Sequence, residues 1–194
     1  MDLQDIEMIV FNCPYIDSIE CDARLRCHPI PGYGSDHPEF LVLGINPARR
    51  GGVWCRYDFV EKLKRRYLTE CMNPQYPYGK LLKKLEKLIP QFRIPETVYL
   101  TDIVKCPTRK VTLPPESMVK KCVSTYLEKT VRLLNPKFII CLGRKPTMYV
   151  EDILRNKAAL SRPFVIAVPH PSRASIETIA TAVAKKVKEL EAVR

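Results

Sequence analysis

The sequence predicts an α/β fold: one domain of 194 residues built on a central, mostly parallel four-stranded sheet flanked by helices. Three observations carry this. Four short apolar runs each end in a turn, as strands buried on both faces do. Segments with helical spacing of apolar residues separate them, the alternation expected of parallel strands with crossover helices. The length suits a single hydrophobic core better than two small ones.

Residues 2–12 read as a short helix, with Leu3, Ile6, Ile9 and Val10 at helical spacing. The stretch from Cys13 to Pro38 reads as irregular, being rich in Cys, Pro and Gly. FLVLGI at 40–45 is the first strand. Helices follow at 58–72 and 78–89, with Pro74 and Pro77 between them. TVYLTDIV at 97–104 is the second strand, and Pro107, Pro114 and Pro115 mark a loop. A helix begins near Pro115 and runs to about Leu134, with Val119, Val123, Tyr126, Leu127 and Val131 at helical spacing. KFIICLG at 137–143 and PFVIAVPH at 163–170 are the third and fourth strands. The last helix starts near Ser175 and buries Ile176, Ile179, Val183, Val187 and Leu190 on one face.

Hydrophobic residues form 46% and charged residues 27% of the chain, which excludes a disordered protein. The net charge of +11 favours an anionic partner, with nucleic acid the leading class and a generally basic protein the plain alternative. The acidic opening MDLQDIEMIV does not resemble a secretory signal, and no apolar run reaches membrane-spanning length. A cytoplasmic, nucleoid-associated protein without membrane contact is expected. In a reducing compartment the eight cysteines call for metal ligation or plain burial rather than disulfides.

In parallel sheets ligands bind beyond the carboxyl ends of the strands. Three of those ends carry chemistry here: Gly44-Ile45-Asn46-Pro47, the segment from Asp102 to Cys106, and His170-Pro171-Ser172. The segment GINPARRGG at 44–52 and HPS at 170–172 resemble, in this order, the paired motifs of the uracil-DNA glycosylase superfamily. GINP is similar to the first motif of the mismatch-specific uracil glycosylases. PIPGYGSDHPEFLVLGINPARRGG is closer to the iron–sulfur-containing families 4 and 5, whose pattern resembles PGFG…LVVGLAPAxxGG. TDIVKCP at 101–107 and LNPKFIICLG at 134–143 resemble family-4 segments.

The resemblance implies a monofunctional DNA glycosylase that flips uracil or another deaminated base into a pocket and hydrolyses its N-glycosidic bond in base excision repair. Asn46 would hold the attacking water, although Asn before Pro is also ordinary turn chemistry. His170 would stabilise negative charge on the departing base. Gly44, Ile45, Phe59 and Asp102 would contact the base, with Tyr57 and Trp54 rivals to Phe59 for stacking. Arg49, Ser172 and Arg173 would contact DNA phosphates. Ser175 is as readily a helix N-cap as a phosphate contact. Basic residues from Lys105 to Lys110 adjoin the same region, whereas Lys62–Arg66 read as a solvated helix face.

Asp102 departs from the family-4 pattern, which has Asn there. An ionised carboxylate accepts from N3–H but repels O4, whereas a protonated Asp reproduces the Asn donor if burial raises its pKa. Either form could read a different base, such as one with an exocyclic amine or hypoxanthine, so the preferred base is open. Cys106 and Cys122 match the spacing of the last two cluster ligands in families 4 and 5. The first two would come from Cys13, Cys21 and Cys27, none of which forms C-x-x-C. Four of these five cysteines are expected to hold a [4Fe–4S] cluster, with zinc as the alternative, tying the N-terminal segment (about 1–38) to the core. DNA is the expected partner and a monomer the expected state. The competing readings are a non-catalytic or abasic-site-binding protein of the same fold, and a cluster or zinc protein with another hydrolytic activity.

Overall fold

The structure is a computed structural model that describes residues 2–15, 29–47, 59–108, 113–155 and 163–192. Its sheet has strands β1 (Tyr33–Gly34), β2 (Phe40–Gly44), β3 (Val98–Asp102), β4 (Phe138–Leu142) and β5 (Phe164–Val168). Their spatial order is β1-β3-β2-β4-β5, with β1 antiparallel to β3 and the other pairs parallel. The four predicted strands are therefore all present. The fifth, β1, is two residues long, too short to leave an alternating pattern in the sequence.

Helices α1 (Leu3–Phe11), α2 (Val60–Cys71), α3 (Pro77–Leu88), α4 (Glu116–Cys122), α5 (Glu128–Leu134), α6 (Arg144–Arg155) and α7 (Ile176–Glu191) cover both faces. Pro77 does not separate helices but starts α3, where its missing N–H costs nothing. The single helix expected from Pro115 to Leu134 is continuous, but its turn Val123–Leu127 is widened to a π-helical one. Helix α6 was not anticipated, because only Pro146, Val150 and Ile153 are buried along it. Ser175 caps α7 by accepting from the Thr178 N–H, the plain alternative named for it.

Alternate residues of each strand feed opposite layers. Phe40, Val42, Val98, Leu100, Phe138 and Ile140 pack with α2, α3 and α7. Leu41, Leu43, Tyr99, Ile139 and Cys141 pack with α1, α4, α5 and α6. Phe40 anchors the first layer, its ring 5.1 Å from those of both Phe92 and Phe138. Helix α1 docks through a buried polar pair as well as apolar contact: Glu7 receives Lys64 Nζ at 2.7 Å and the Tyr99 hydroxyl at 3.2 Å. No helix among the described residues is long and apolar enough to cross a membrane.

Candidate active site

The parallel register aligns the strand ends that carry the motifs. Gly44 pairs directly with Asp102 across β2 and β3, and β4 and β5 end on the same rim at Leu142 and Val168. Beyond β4 the chain turns at Gly143, whose φ of 108° favours glycine, and its N–H donates to the Val168 carbonyl at 2.8 Å. That bond ties the end of β5, and with it His170, to the centre of the rim.

A cavity of about 360 Å³ opens there. Gly44, Ile45, Asn46 and Pro47 line it from the turn after β2, Asp102 from β3, Leu142 from β4, and His170 and Ser172 from the turn after β5. Its remaining wall comes from α2 and the start of α3, with Tyr67, Glu70, Cys71, Tyr76 and Tyr78. Asn46 and His170, distant in sequence, thus share one cavity. Its three tyrosine rings suit a flat aromatic ligand.

The Asn46 amide nitrogen donates to the Pro47 carbonyl at 3.3 Å, which orients the side chain and commits one of its two N–H donors. Its Oδ1 is the atom suited to accept from a water. Nδ1 of His170 accepts from the Ser172 N–H at 3.3 Å and lies 2.8 Å from the Ser172 hydroxyl. Because a backbone N–H can only donate, Nδ1 is the acceptor and the neutral ring carries its proton on Nε2. Ser172 therefore orients the imidazole.

Burial, helped by the charge of Arg173, lowers the His170 pKa below its ordinary 6.5. The folded chain binds that proton less readily than the unfolded one. The stability linked to His170 is thus whole above pH 6.5 and erodes as the pH falls below it. Between about pH 7 and about pH 5, the thermal midpoint of His170→Gln should fall less than that of the parent chain. Equal falls by circular dichroism would contradict this.

Asp102 receives the Tyr67 hydroxyl at 2.9 Å on Oδ2. Burial raises its carboxyl to about 6, against the pull of that hydrogen bond and of Lys105. Lys105 is itself 1% exposed, and its Nζ donates to Thr101 Oγ1 at 2.6 Å and to the Pro31 carbonyl at 3.3 Å. It braces residues 30–31 against β3 rather than meeting DNA phosphates, which corrects the expectation for this end of the Lys105–Lys110 segment. A Cβ on Gly44 would sit 2.2 Å from Asp102 Oδ1, so the glycine makes room for the carboxylate.

Phe59 is not part of the cavity wall. It is 62% exposed before α2, under the Lys62 ammonium, because the helix turns Tyr67 and Cys71 inward instead. Arg173 is exposed close to the rim, whereas Arg49, Tyr57 and Trp54 lie outside the described residues. The aromatic wall of Tyr67, Tyr76 and Tyr78 was missed in the sequence. The only available signal was the inward spacing Leu63–Tyr67–Cys71 on α2.

On the opposite face, Cys13, Cys106 and Cys122 are buried in one layer around Tyr126, whose hydroxyl donates to Cys13 Sγ at 2.8 Å. Cys106 and Cys122 are also close enough to act electrostatically on that hydroxyl. Cys21 and Cys27 lie outside the described residues, and among those described no three His, Cys, Asp or Glu side chains form a metal-holding group. Cys141 is a core residue of β4, as expected.

The cavity thus lies at the strand ends of an α/β sheet, with the GINP turn on one side and the HPS turn on the other. The model of the uracil DNA glycosylase superfamily matches residues 31–193, and this chain belongs to that superfamily. It is 27% identical to the Type-4 uracil-DNA glycosylase of Archaeoglobus fulgidus over 152 residues, covering 78% of this chain and 64% of that protein. The Type-4 uracil-DNA glycosylase of Sulfurisphaera tokodaii is 27% identical over 127 residues, 66% of this chain and 50% of the relative. That of Saccharolobus solfataricus is 27% identical over 135 residues, 69% and 54% of the two chains. The matched stretch spans less than two thirds of each of these relatives.

Proposed function

We propose that this chain is a monofunctional DNA glycosylase that hydrolyses the N-glycosidic bond of uracil or another deaminated base. One observation carries the reading: Asn46 and His170, from turns far apart in the sequence, line one cavity of about 360 Å³ at the rim of the sheet. A base extruded from DNA would enter it and lie against tyrosine rings. Asn46 Oδ1 accepts a proton-side contact from the attacking water and holds its oxygen toward C1′. As the C1′–N1 bond breaks, its electron pair passes to the base, and the Nε2–H of His170 donates to the oxygen that gathers the charge. The water oxygen bonds to C1′ and its proton is released. No lysine lines the cavity among the described residues, which supports water rather than a lysine amine as the nucleophile.

DNA is the partner that fits the surplus of 32 basic over 21 acidic residues. Arg173, exposed beside the rim, would meet a phosphate, and Ser172 would hold His170. A monomer forming one domain is part of the same reading. The cavity tests it directly: the protein is incubated with oligonucleotides holding uracil, hypoxanthine or xanthine. Alkali-labile sites at one of these bases support a glycosylase. Binding without any abasic product supports the non-catalytic reading instead.

A [4Fe–4S] cluster at the cysteine face is part of the same reading: Cys13, Cys106 and Cys122, buried in one layer, would supply soft thiolate donors from three separate segments. Either Cys21 or Cys27 would complete the set. When bound, the cluster supplies a cross-link rather than chemistry, joining the N-terminal segment to β3 and α4. The purified protein should absorb near 400 nm (roughly the cluster range) and Cys122→Ser should lose that band. A colourless protein carrying stoichiometric zinc would point to the other metal.

A further inference from the structure

Tyr78 lines the cavity, and its buried hydroxyl has no hydrogen-bond partner among the described residues. A buried polar atom left this way calls for an explanation, because desolvation without a partner is costly. Its neighbour Tyr67 differs: that hydroxyl is already committed to Asp102 Oδ2 at 2.9 Å. Tyr78 and Asp102 line the same cavity.

The chemistry of Asp102 defines what this side lacks. Burial raises its carboxyl, while the Tyr67 hydroxyl that donates to Oδ2 at 2.9 Å and the charge of Lys105 favour the ionised form, which only accepts hydrogen bonds. A deaminated base presents a ring N–H beside an exocyclic carbonyl, N3–H and O4 in uracil, N1–H and O6 in hypoxanthine. Reading that edge takes an acceptor and a donor side by side. A carboxamide supplies both from one side chain, whereas a carboxylate supplies the acceptor alone and sets its charge against the carbonyl.

We propose that Tyr78 supplies the missing donor, its O–H donating to the exocyclic carbonyl while Asp102 accepts the ring N–H, so that two residues together select deaminated bases. This rests on the glycosylase reading above. It turns Tyr78 into a specificity-determining residue and gives its buried hydroxyl a partner in the bound state. Cytosine is disfavoured, because its unprotonated N3 would face the carboxylate.

The test compares single-turnover release of uracil and of 4-thiouracil from otherwise identical single-stranded oligonucleotides, by the full chain and by Tyr78→Phe. 4-Thiouracil keeps N3–H but replaces the C4 oxygen with sulfur, a poor acceptor. Loss of one hydrogen bond predicts that Tyr78→Phe releases uracil about tenfold more slowly. The same variant should lose less than about threefold on 4-thiouracil. In an Asp102→Asn background, which restores a carboxamide, the penalty of Tyr78→Phe on uracil should shrink. Equal losses on both substrates would show a structural role for the ring and overturn the inference alone. So would faster release of cytosine than of uracil by the parent chain. A parent chain that binds the oligonucleotides but frees no base overturns the glycosylase reading and this inference with it.

Discussion

Asn46→Ala lowers the single-turnover rate of base release by about 10²–10⁴-fold, the range lost when a positioned proton-handling group is removed. The size follows from geometry. One N–H of the Asn46 amide donates to the Pro47 carbonyl, which orients the side chain and leaves Oδ1 to accept from a water. Alanine removes the acceptor and leaves the turn. His170→Ala should cost about 10²–10³-fold, the loss typical of one preorganised donor at a developing negative charge. Because Ser172 holds Nδ1 as an acceptor, the donor is Nε2–H, and Ser172→Ala should reproduce part of the His170 loss. Single-turnover assays with enzyme in excess read all three. The two main losses should combine to less than their product, since the groups act on one transition state.

Gly44→Ala is the second large effect, and it acts through another residue. The added Cβ would lie 2.2 Å from Asp102 Oδ1, so the carboxylate must move. Oδ2 is held by Tyr67, which limits where it can go. The Gly44 backbone is ordinary strand paired with β3, so the fold tolerates alanine there. A displacement of about 1 Å at a base-reading group can cost about 10²-fold in rate. We expect that loss with little change in the thermal midpoint. In an Asp102→Ala background, where nothing stands in the way of the methyl group, Gly44→Ala should add little. Additive losses in the two backgrounds would contradict the steric account.

The same pair shows how far the sequence could be read. Strands β2 to β5 were legible because each is a dense apolar run closed by a turn, and their parallel order followed from the helices between them. Gly44, Asn46, Asp102 and His170 were legible as a site because strand ends of a parallel sheet converge. The contact between Gly44 and Asp102 was not, since it depends on a register that no local pattern specifies. Tyr67 and Tyr78 were hidden for a related reason. The helical pattern places α2 and α3, but which face meets the rim depends on how the crossover packs. Lys105 looked like a DNA contact because charge at a loop is usually solvated. It is buried because Thr101 and the Pro31 carbonyl satisfy its ammonium group. Helix α6 escaped because three buried positions in twelve residues leave no apolar stripe.

The meeting of two turns around a slot for one base is tested most directly by following a single uracil-containing oligonucleotide to its abasic product. The parent chain should yield alkali-labile strand ends at the uracil position, and the Asn46→Ala, His170→Ala double variant should yield none above background while still binding the strand. Equal product from both proteins, or none from the parent, would contradict the site described here.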